Sequence, residues 1–538
     1  MSVKEQQQRG INTRMVLTGL IIGMFFSALE QTVVGTAMPT IIAELNGFSI
    51  FAWVTTAYLI TSTTVTPIVG KLSDQYGRRF LYLLGVLIFI VGSGLCATAN
   101  SMEQLVIYRA LQGIGGGMIM PLSQTIIGDI FTAEQRAKWQ GVFGALFGLS
   151  SVIGPFIGGF IVDSISWHWI FLINVPFGLL SALLIFTGLK HEIVRTQDKA
   201  NIDYLGIFTL VPALVMLLIG LNFAGDKFEW VSSTSFLLFG GFAVFLVLFL
   251  LVERKAAEPI LDLSLFKNRI FATTNALGFL LGLGMFGAIM FVPMFMQGIL
   301  GVTPTQAGST MTPMMIALIV ASVIGGRLLL KFRFRTVLTA GMLIAVLGFY
   351  LMSTMGIDSN EMTAYFYMVV LGLGMGLVMP TLMIAVQNEF PKHRLGTVTS
   401  ASTFFRSIGG TMGITILNSV MNQTLQSNMA DVTSSEKNPA AAAVLKEIGS
   451  KTDSLFGILV NPGLLPVPEE VRKNVVHAIQ TAWSQSFTTT FLTGLIFIAL
   501  GIGVALSVGN GKIKRDKDLK KEQEEEPEVP ELKPLLNE

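Results

Sequence analysis

The sequence predicts an all-α integral membrane protein, two six-helix bundles plus two inserted helices, fourteen transmembrane helices in all. Three observations carry this. The 538 residues are 52% apolar and only 13% charged, whereas a soluble domain carries about 25% charge. Apolar stretches of about 20 residues, the length that crosses a bilayer, recur along the whole chain. One stretch also repeats: "GIGGGMIMPLSQTIIGDIF" from Gly113 aligns without a gap with "GLGMGLVMPTLMIAVQNEF" from Gly372, at an offset of 259 residues.

Apolar runs between charged or Gly/Pro-marked breaks place helices near residues 15–38, 51–70, 79–99, 104–127, 139–162, 168–189, 204–224 and 234–252. Six more follow near 270–297, 306–330, 336–355, 362–387, 397–421 and 486–508. With an even number of spans and the N-terminus inside, 28 of the 36 Lys and Arg fall on the inner side and six outside. That asymmetry follows the positive-inside rule and predicts a multi-pass cell-membrane protein with both termini cytoplasmic.

The repeat matches helix 4 with helix 12, so two helices stand between halves of six, and helices 7 and 8 are the natural insert. The expected organisation is a first bundle over 1–200, inserted helices over 201–258, a second bundle over 259–510 and a tail over 511–538. The second bundle carries an outside loop at 422–485 with two amphipathic pieces, "NPAAAAVLKEIGS" and "VPEEVRKNVVHAIQTAW". This loop reads either as a cap on the outer mouth or as a tolerated surface insertion. The charged, Pro-containing tail reads as disordered.

Net charge is +2, which gives no sign of a nucleic-acid partner. The single cysteine, Cys96, lies in an apolar run, where a small core residue is the plain reading, and it excludes an intramolecular disulfide. The glycines near Gly115 superficially look like a dinucleotide loop, but no strand precedes them. No phosphate loop, metal cluster or nucleophile constellation is present, so no enzyme, cofactor or metal is expected.

The loop after helix 2 reads "GKLSDQYGRRF", Gly70 to Phe80. Gly70 and Gly77 stand at its turns, and Asp74 four residues before Arg78 allows a local charge pair beside Arg79. Asp129, at the inner end of helix 4, is a second candidate partner for Arg78. Pairs of this kind can latch one conformation by breaking and remaking; as mere topological anchors, Lys and Arg alone would suffice.

At this point the chain resembles the major facilitator superfamily. "GKLSDQYGRR" looks like its signature loop, and "YRALQGIGGG" from Tyr108 resembles its helix 4 motif. "GLSSVIGPFIGG", Gly148 to Gly159, looks like the helix 5 motif of antiporters. "SALEQTVVGTAMP" and "WHWIFLINVPFG" are similar to helix 1 and helix 6 patterns of the fourteen-helix drug:proton antiporters. The family's helix 1 pattern usually has aspartate where this chain has Glu30, and its helix 6 entry usually has arginine where this chain has His168. The resemblance implies the major facilitator fold and export of lipophilic, often cationic drugs, antiseptics or dyes.

Glu30 lies about 22 Å along helix 1 from Met15 at 1.5 Å per residue, near mid-membrane. Phe26, Ser27, Val33, Val34 and Ala37 share its face. A carboxyl in hydrocarbon favours its neutral form, which makes Glu30 the candidate proton carrier; the competing reading is a permanently protonated structural residue. Arg109 in helix 4 shares a face with Gln112, Gly113, Gly116 and Met120, and the glycines allow another helix to approach. In the resembled family this arginine belongs to the proton-translocation machinery; a purely structural role is its competing reading.

In helix 5, Gly154 and Pro155 are expected to bend the chain, and Gly158 and Gly159, with Gly148 preceding them, to let another helix pack closely. The resemblance makes that contact a seal against proton leak. Phe26, Gln112, Met120 and Arg406 are the candidate cavity residues, since aromatic and thioether walls are adaptable. The expected partners are a lipophilic small molecule, protons and membrane lipids, with the protein acting as a monomer. The alternatives are export of a specific endogenous metabolite or peptide, lipid flipping, and a transporter-like sensor that binds without flux.

Overall fold

The computed structural model describes residues 11–45, 50, 52–190, 203–223, 228–302, 306–307, 310–448, 452–460 and 462–512. The tail after 512 and the first ten residues, with basic positions counted above, lie outside the described residues. Helices run over Thr13–Leu45 (α1), Ala52–Tyr76 (α2), Arg78–Cys96 (α3), Met102–Ile130 (α4) and Ala133–Ser164 (α5). α6 spans His168–Gly188 with a break at Ile173. Tyr204–Phe223 (α7), Ser233–Glu253 (α8), Arg269–Gly298 (α9), Met311–Leu329 (α10), Phe334–Ser353 (α11), Glu361–Glu389 (α12) and Leu395–Ser435 (α13) follow. Two short helices, Pro439–Ile448 (α14) and Thr452–Val460 (α15), precede Glu469–Ser507 (α16).

Among the described residues, 11 of these helices have the length and apolarity to cross a membrane; the side chains of α5 are described only in part, and α2 and α13 are too polar to qualify. Their position explains it. α2 packs against α13, and α5 against α10, so they form the seams between the halves and turn their polar residues inward rather than to lipid.

The repeat extends beyond the residues that announce it. Ser101 caps α4 by accepting from the Gln104 amide, and Asn360, 259 residues on, caps α12 by accepting from the Thr363 amide. The glycines do matching work. A Cβ on Gly113 would lie 2.5 Å from the Tyr58 carbonyl of α2, and one on Gly372 would lie 2.2 Å from the Met314 carbonyl of α10. On Gly115 it would meet the Phe89 amide of α3 at 2.4 Å, and on Gly374 the Ala345 amide of α11 at 2.5 Å. α4 therefore beds between α2 and α3 as α12 beds between α10 and α11, and only glycine permits that approach.

α7 and α8 pair with each other, and α7 docks on α2 and α13. Leu210, Leu214 and Phe249 meet Phe404, Ile408 and Ile68 there. The expected outside loop at 422–485 differs from the structure: α13 runs on to Ser435, and α16 begins at Glu469. The amphipathic "VPEEVRKNVVHAIQTAW" is thus the first turns of α16. Met421, Leu425 and Met429 keep the four-residue seam of α13 buried beyond the point where the surrounding sequence turns polar.

The second half has a large apolar core from Ile270 to Val508 and a smaller one around Phe271, Val386 and Val398 at its inner end. The first half has two, one around Tyr82, Phe89 and Met118 and one around Phe26, Leu105 and Phe171. A buried polar layer lies between them.

Candidate functional site

That layer is built by five helices. Glu30 on α1 and Arg109 on α4 are each 1% exposed, and Arg109 Nη1 lies 2.6 Å from Glu30 Oε1. The same Nη1 donates to Gln112 Oε1 at 2.6 Å, and Arg109 Nε donates to the Val54 carbonyl of α2 at 3.2 Å. Gln112 Nε2 passes the chain on to Ser93 Oγ of α3 at 2.7 Å. Asn174 Nδ2 of α6 donates to Glu30 Oε2. The guanidinium stacks 4.4 Å from the centre of the Tyr58 ring.

Burying two charges costs several kcal/mol per ion, and here it is offset by pairing and by hydrogen bonds at nearly every polar atom. Local helix geometry sets the positions. Gln112 follows Arg109 by three residues and so shares its face. The glycines at 113 and 116 admit α2, a Cβ on Gly116 reaching within 2.2 Å of the Tyr58 hydroxyl. Asn174 opens the second segment of α6, after the break at Ile173.

The second cluster lies where α2 and α4 end and α12 and α13 meet. Arg78 Nη2 contacts Asp74 Oδ1 at 2.6 Å and its Nε contacts Asp129 at 3.0 Å. Asp74 also reaches across the seam: Oδ1 accepts from the Gly396 amide at 2.9 Å, and Oδ2 from the amide and hydroxyl of Thr397, both at 2.7 Å. Those are the first residues of α13, where unpaired amides and the helix dipole favour a carboxylate. Further bonds cross at the same end, from Thr403 Oγ1 to Gln124 (3.4 Å) and from Arg136 to Gln387 (3.4 Å). Gly77 makes the turn into α3 at φ 97°, a left-handed conformation suited to glycine. The connector after α8 ties in as well: Lys71 and Gln75 bind Glu258, and Arg394 binds Asp262 at 3.3 Å.

The other residues singled out in the sequence take the following places. Arg79 turns to the end of α6. It donates to the Phe186 and Lys190 carbonyls and caps the end of α6, where the last carbonyls lack helical partners. Gly154 does bring α5 against α1, a Cβ there lying 2.0 Å from Thr32 Oγ1, but a Cβ on Gly159 would meet nothing within 4 Å. Gly158 is buried, and the surroundings of Gly148 and Pro155 lie outside the described residues. Phe26 is stacked on Phe177 at 4.0 Å between α1 and α6 instead of lining open space. Met120 is half-buried beside the first-half core, and Arg406 is half-buried on α13. Cys96 is fully buried, its thiol 3.8 Å from Gln112 Oε1.

Sequence reading missed Asn174, Tyr58 and Ser93. The one available signal was an asparagine inside the apolar "WHWIFLINVPFG"; Tyr58 and Ser93 look like ordinary residues of their helices until the fold aims them.

Comparison with known proteins shows the family. A family model described as Major Facilitator Superfamily matches residues 20–414. The multidrug transporter protein MdtP of Bacillus subtilis (strain 168) is 47% identical over 511 residues, covering 94% of each chain. Multidrug resistance protein 3 of the same organism is 39% identical over 510 residues, covering 95% of this chain and 98% of that one. Among solved structures, the proton:xylose symporter XylE superposes with TM-score 0.57 at 13% identity, covering 96% of this chain and 99% of that one, a likeness of fold.

Proposed function

We propose, from the premise that the chain belongs to the Major Facilitator Superfamily and is a multi-pass small-molecule transporter, that it exports lipophilic, chiefly cationic toxic compounds across the cell membrane in exchange for protons. Its relatives carry multidrug names, which supports the substrate class. The observation that carries proton exchange is the buried Glu30–Arg109 pair, a titratable acid held at 2.6 Å between helices of one half.

Protonation of Glu30 from outside cancels its attraction to Arg109 and frees the pair to rearrange, while deprotonation toward the cytoplasm restores it. The halves over 1–200 and 259–510 rock about the α2–α13 and α5–α10 seams. The Asp74–Arg78–Asp129 latch holds the inner end shut in this conformation, with both termini cytoplasmic and one chain as the working unit. Each net charge crossing the potential supplies about 2.3 kcal/mol per 100 mV, enough to raise the gradient of a neutral substrate more than tenfold, while a monovalent cation exchanged for one proton is driven by the pH difference alone.

The test is ethidium uptake by inverted vesicles under an imposed pH gradient. The parent should accumulate dye uphill and lose it with a protonophore, and Glu30→Gln should not. Uphill uptake by Glu30→Gln with unchanged proton dependence would place coupling on another group.

A further inference from the structure

We propose that Arg406 is the recognition point for an acidic group, a carboxylate or sulfonate, on the transported molecule; this rests on the transporter reading above and revises its charge preference, from chiefly cationic compounds to ones that also carry an acid. Thr399, Thr403 and Arg406 stand at i, i+4 and i+7 on α13 and so share one face. Thr399 Oγ1 accepts from Gln387 of α12 at 3.1 Å, and Thr403 bonds Gln124 of α4 at 3.4 Å. The stripe therefore faces the junction of the two halves, and Arg406 continues it one turn above the last crossing bond.

Depth points the same way. Arg406 is 11 residues into α13, about 16 Å at 1.5 Å per residue, near the middle of a core about 30 Å thick. Met120 on α4 and Met379 on α12, repeat mates at the 259-residue offset, each stand 10 residues from their helix ends at the same level, and both are half-buried. Below this level the Gln124, Gln387 and Asp74 bonds close the inner end, so Arg406 and the two thioethers stand at the depth where a molecule entering between the halves from outside is stopped.

The charge at that depth is uncompensated. Arg406 makes no hydrogen bond or ion pair with a described residue, in contrast to Arg109 with its carboxylate, amide and carbonyl partners. The chain has no Asp or Glu between Asp262 and Asp358, between Glu361 and Glu389, between Leu395 and Asp431, or from Val471 to Gly511. No acid of the second half's spans can neutralise it, and Glu30 is held by Arg109 and Asn174. An unpaired guanidinium at mid-membrane is expensive and marks a pathway that supplies its own counter-charge. Its planar fork suits a carboxylate or sulfonate in bidentate fashion, with polarizable methionines beside it for an apolar body.

The test is direct binding of fluorescein and ethidium to the purified full chain by fluorescence polarisation, comparing the parent with Arg406→Gln and Arg406→Lys. The parent should bind fluorescein saturably. Arg406→Gln should shift the ratio of fluorescein to ethidium affinity at least tenfold toward ethidium, and Arg406→Lys should recover part of it. No fluorescein binding by the parent, or an unchanged ratio in Arg406→Gln, overturns the assignment. Because this readout needs no transport, a parent that binds fluorescein yet fails to pump ethidium in vesicles would sink the proton-driven export reading and leave the Arg406 site standing.

Discussion

Gly70 and Gly396 lie against each other across the seam between the halves: a Cβ on Gly70 would sit 2.7 Å from the Gly396 carbonyl, and one on Gly396 would sit 2.5 Å from the Gly70 carbonyl. Backbone meets backbone here, so neither side can yield by moving a side chain. This contact lets the Asp74 carboxylate reach the first amides of α13.

Gly396→Ala is therefore expected to pry α2 from α13 at the latched end. Spin labels at the exposed Tyr76 and His393 should report a longer distance population in the variant than in the parent, read by pulsed dipolar spectroscopy. An unchanged distribution would show that the seam absorbs the extra carbon.

Removing one partner of the polar layer leaves the other charged and buried, which typically costs about 3–5 kcal/mol. Arg109→Met and Glu30→Ala should each lower the unfolding temperature of the detergent-solubilised protein. Glu30→Gln combined with Arg109→Gln, which removes both charges and leaves uncharged amides able to hydrogen-bond, should recover part of the stability without recovering proton-dependent efflux. Recovery of efflux in that double variant contradicts the role given to the pair.

Asn174 donates to the second oxygen of Glu30 and acts through it. Replacing it with Leu removes one stabilising donor and leaves that oxygen short of a partner, a cost of about 1–3 kcal/mol. The diagnostic readout is the pH profile of efflux, which should move for Asn174→Leu, where the donor is lost, and move further for Asn174→Asp, where a second carboxyl stands beside Glu30. A lower rate with an unmoved profile in Asn174→Leu assigns Asn174 to packing.

The two glycines of α5 make a paired test. Gly154→Ala places a carbon 2.0 Å from Thr32 Oγ1, whereas Gly159→Ala meets nothing within 4 Å. Gly154→Ala should destabilise by about 1–3 kcal/mol through overpacking and slow transport, and Gly159→Ala should stay within about 0.5 kcal/mol of the parent. Thermal unfolding of both variants, alongside efflux, separates the two positions.

Much of this was legible before folding. Hydropathy alone located the long helices, the repeat paired α4 with α12, and the spacing of Asp74 and Arg78 announced their contact. The polar residues of α13 after Met421 hid its continuation, because a hydropathy window averages over the faces and misses a buried seam with four-residue spacing. Asn174 was hidden for a related reason: one asparagine in an apolar helix is equally compatible with lipid headgroups, a helix break or a buried carboxylate.

The sequence by itself determined that the chain is a bundle of long apolar helices. A membrane interior leaves backbone groups no partner but their own helix, so apolar length translates directly into spans. Only the tertiary structure decided that Glu30 meets Arg109, 79 residues away, and that Asp74 meets Thr397, 323 residues away. Such pairings depend on the rotation and depth of each helix against its neighbours. Those are set by which glycine surfaces close on which backbones, a property of the packed bundle and of no single segment.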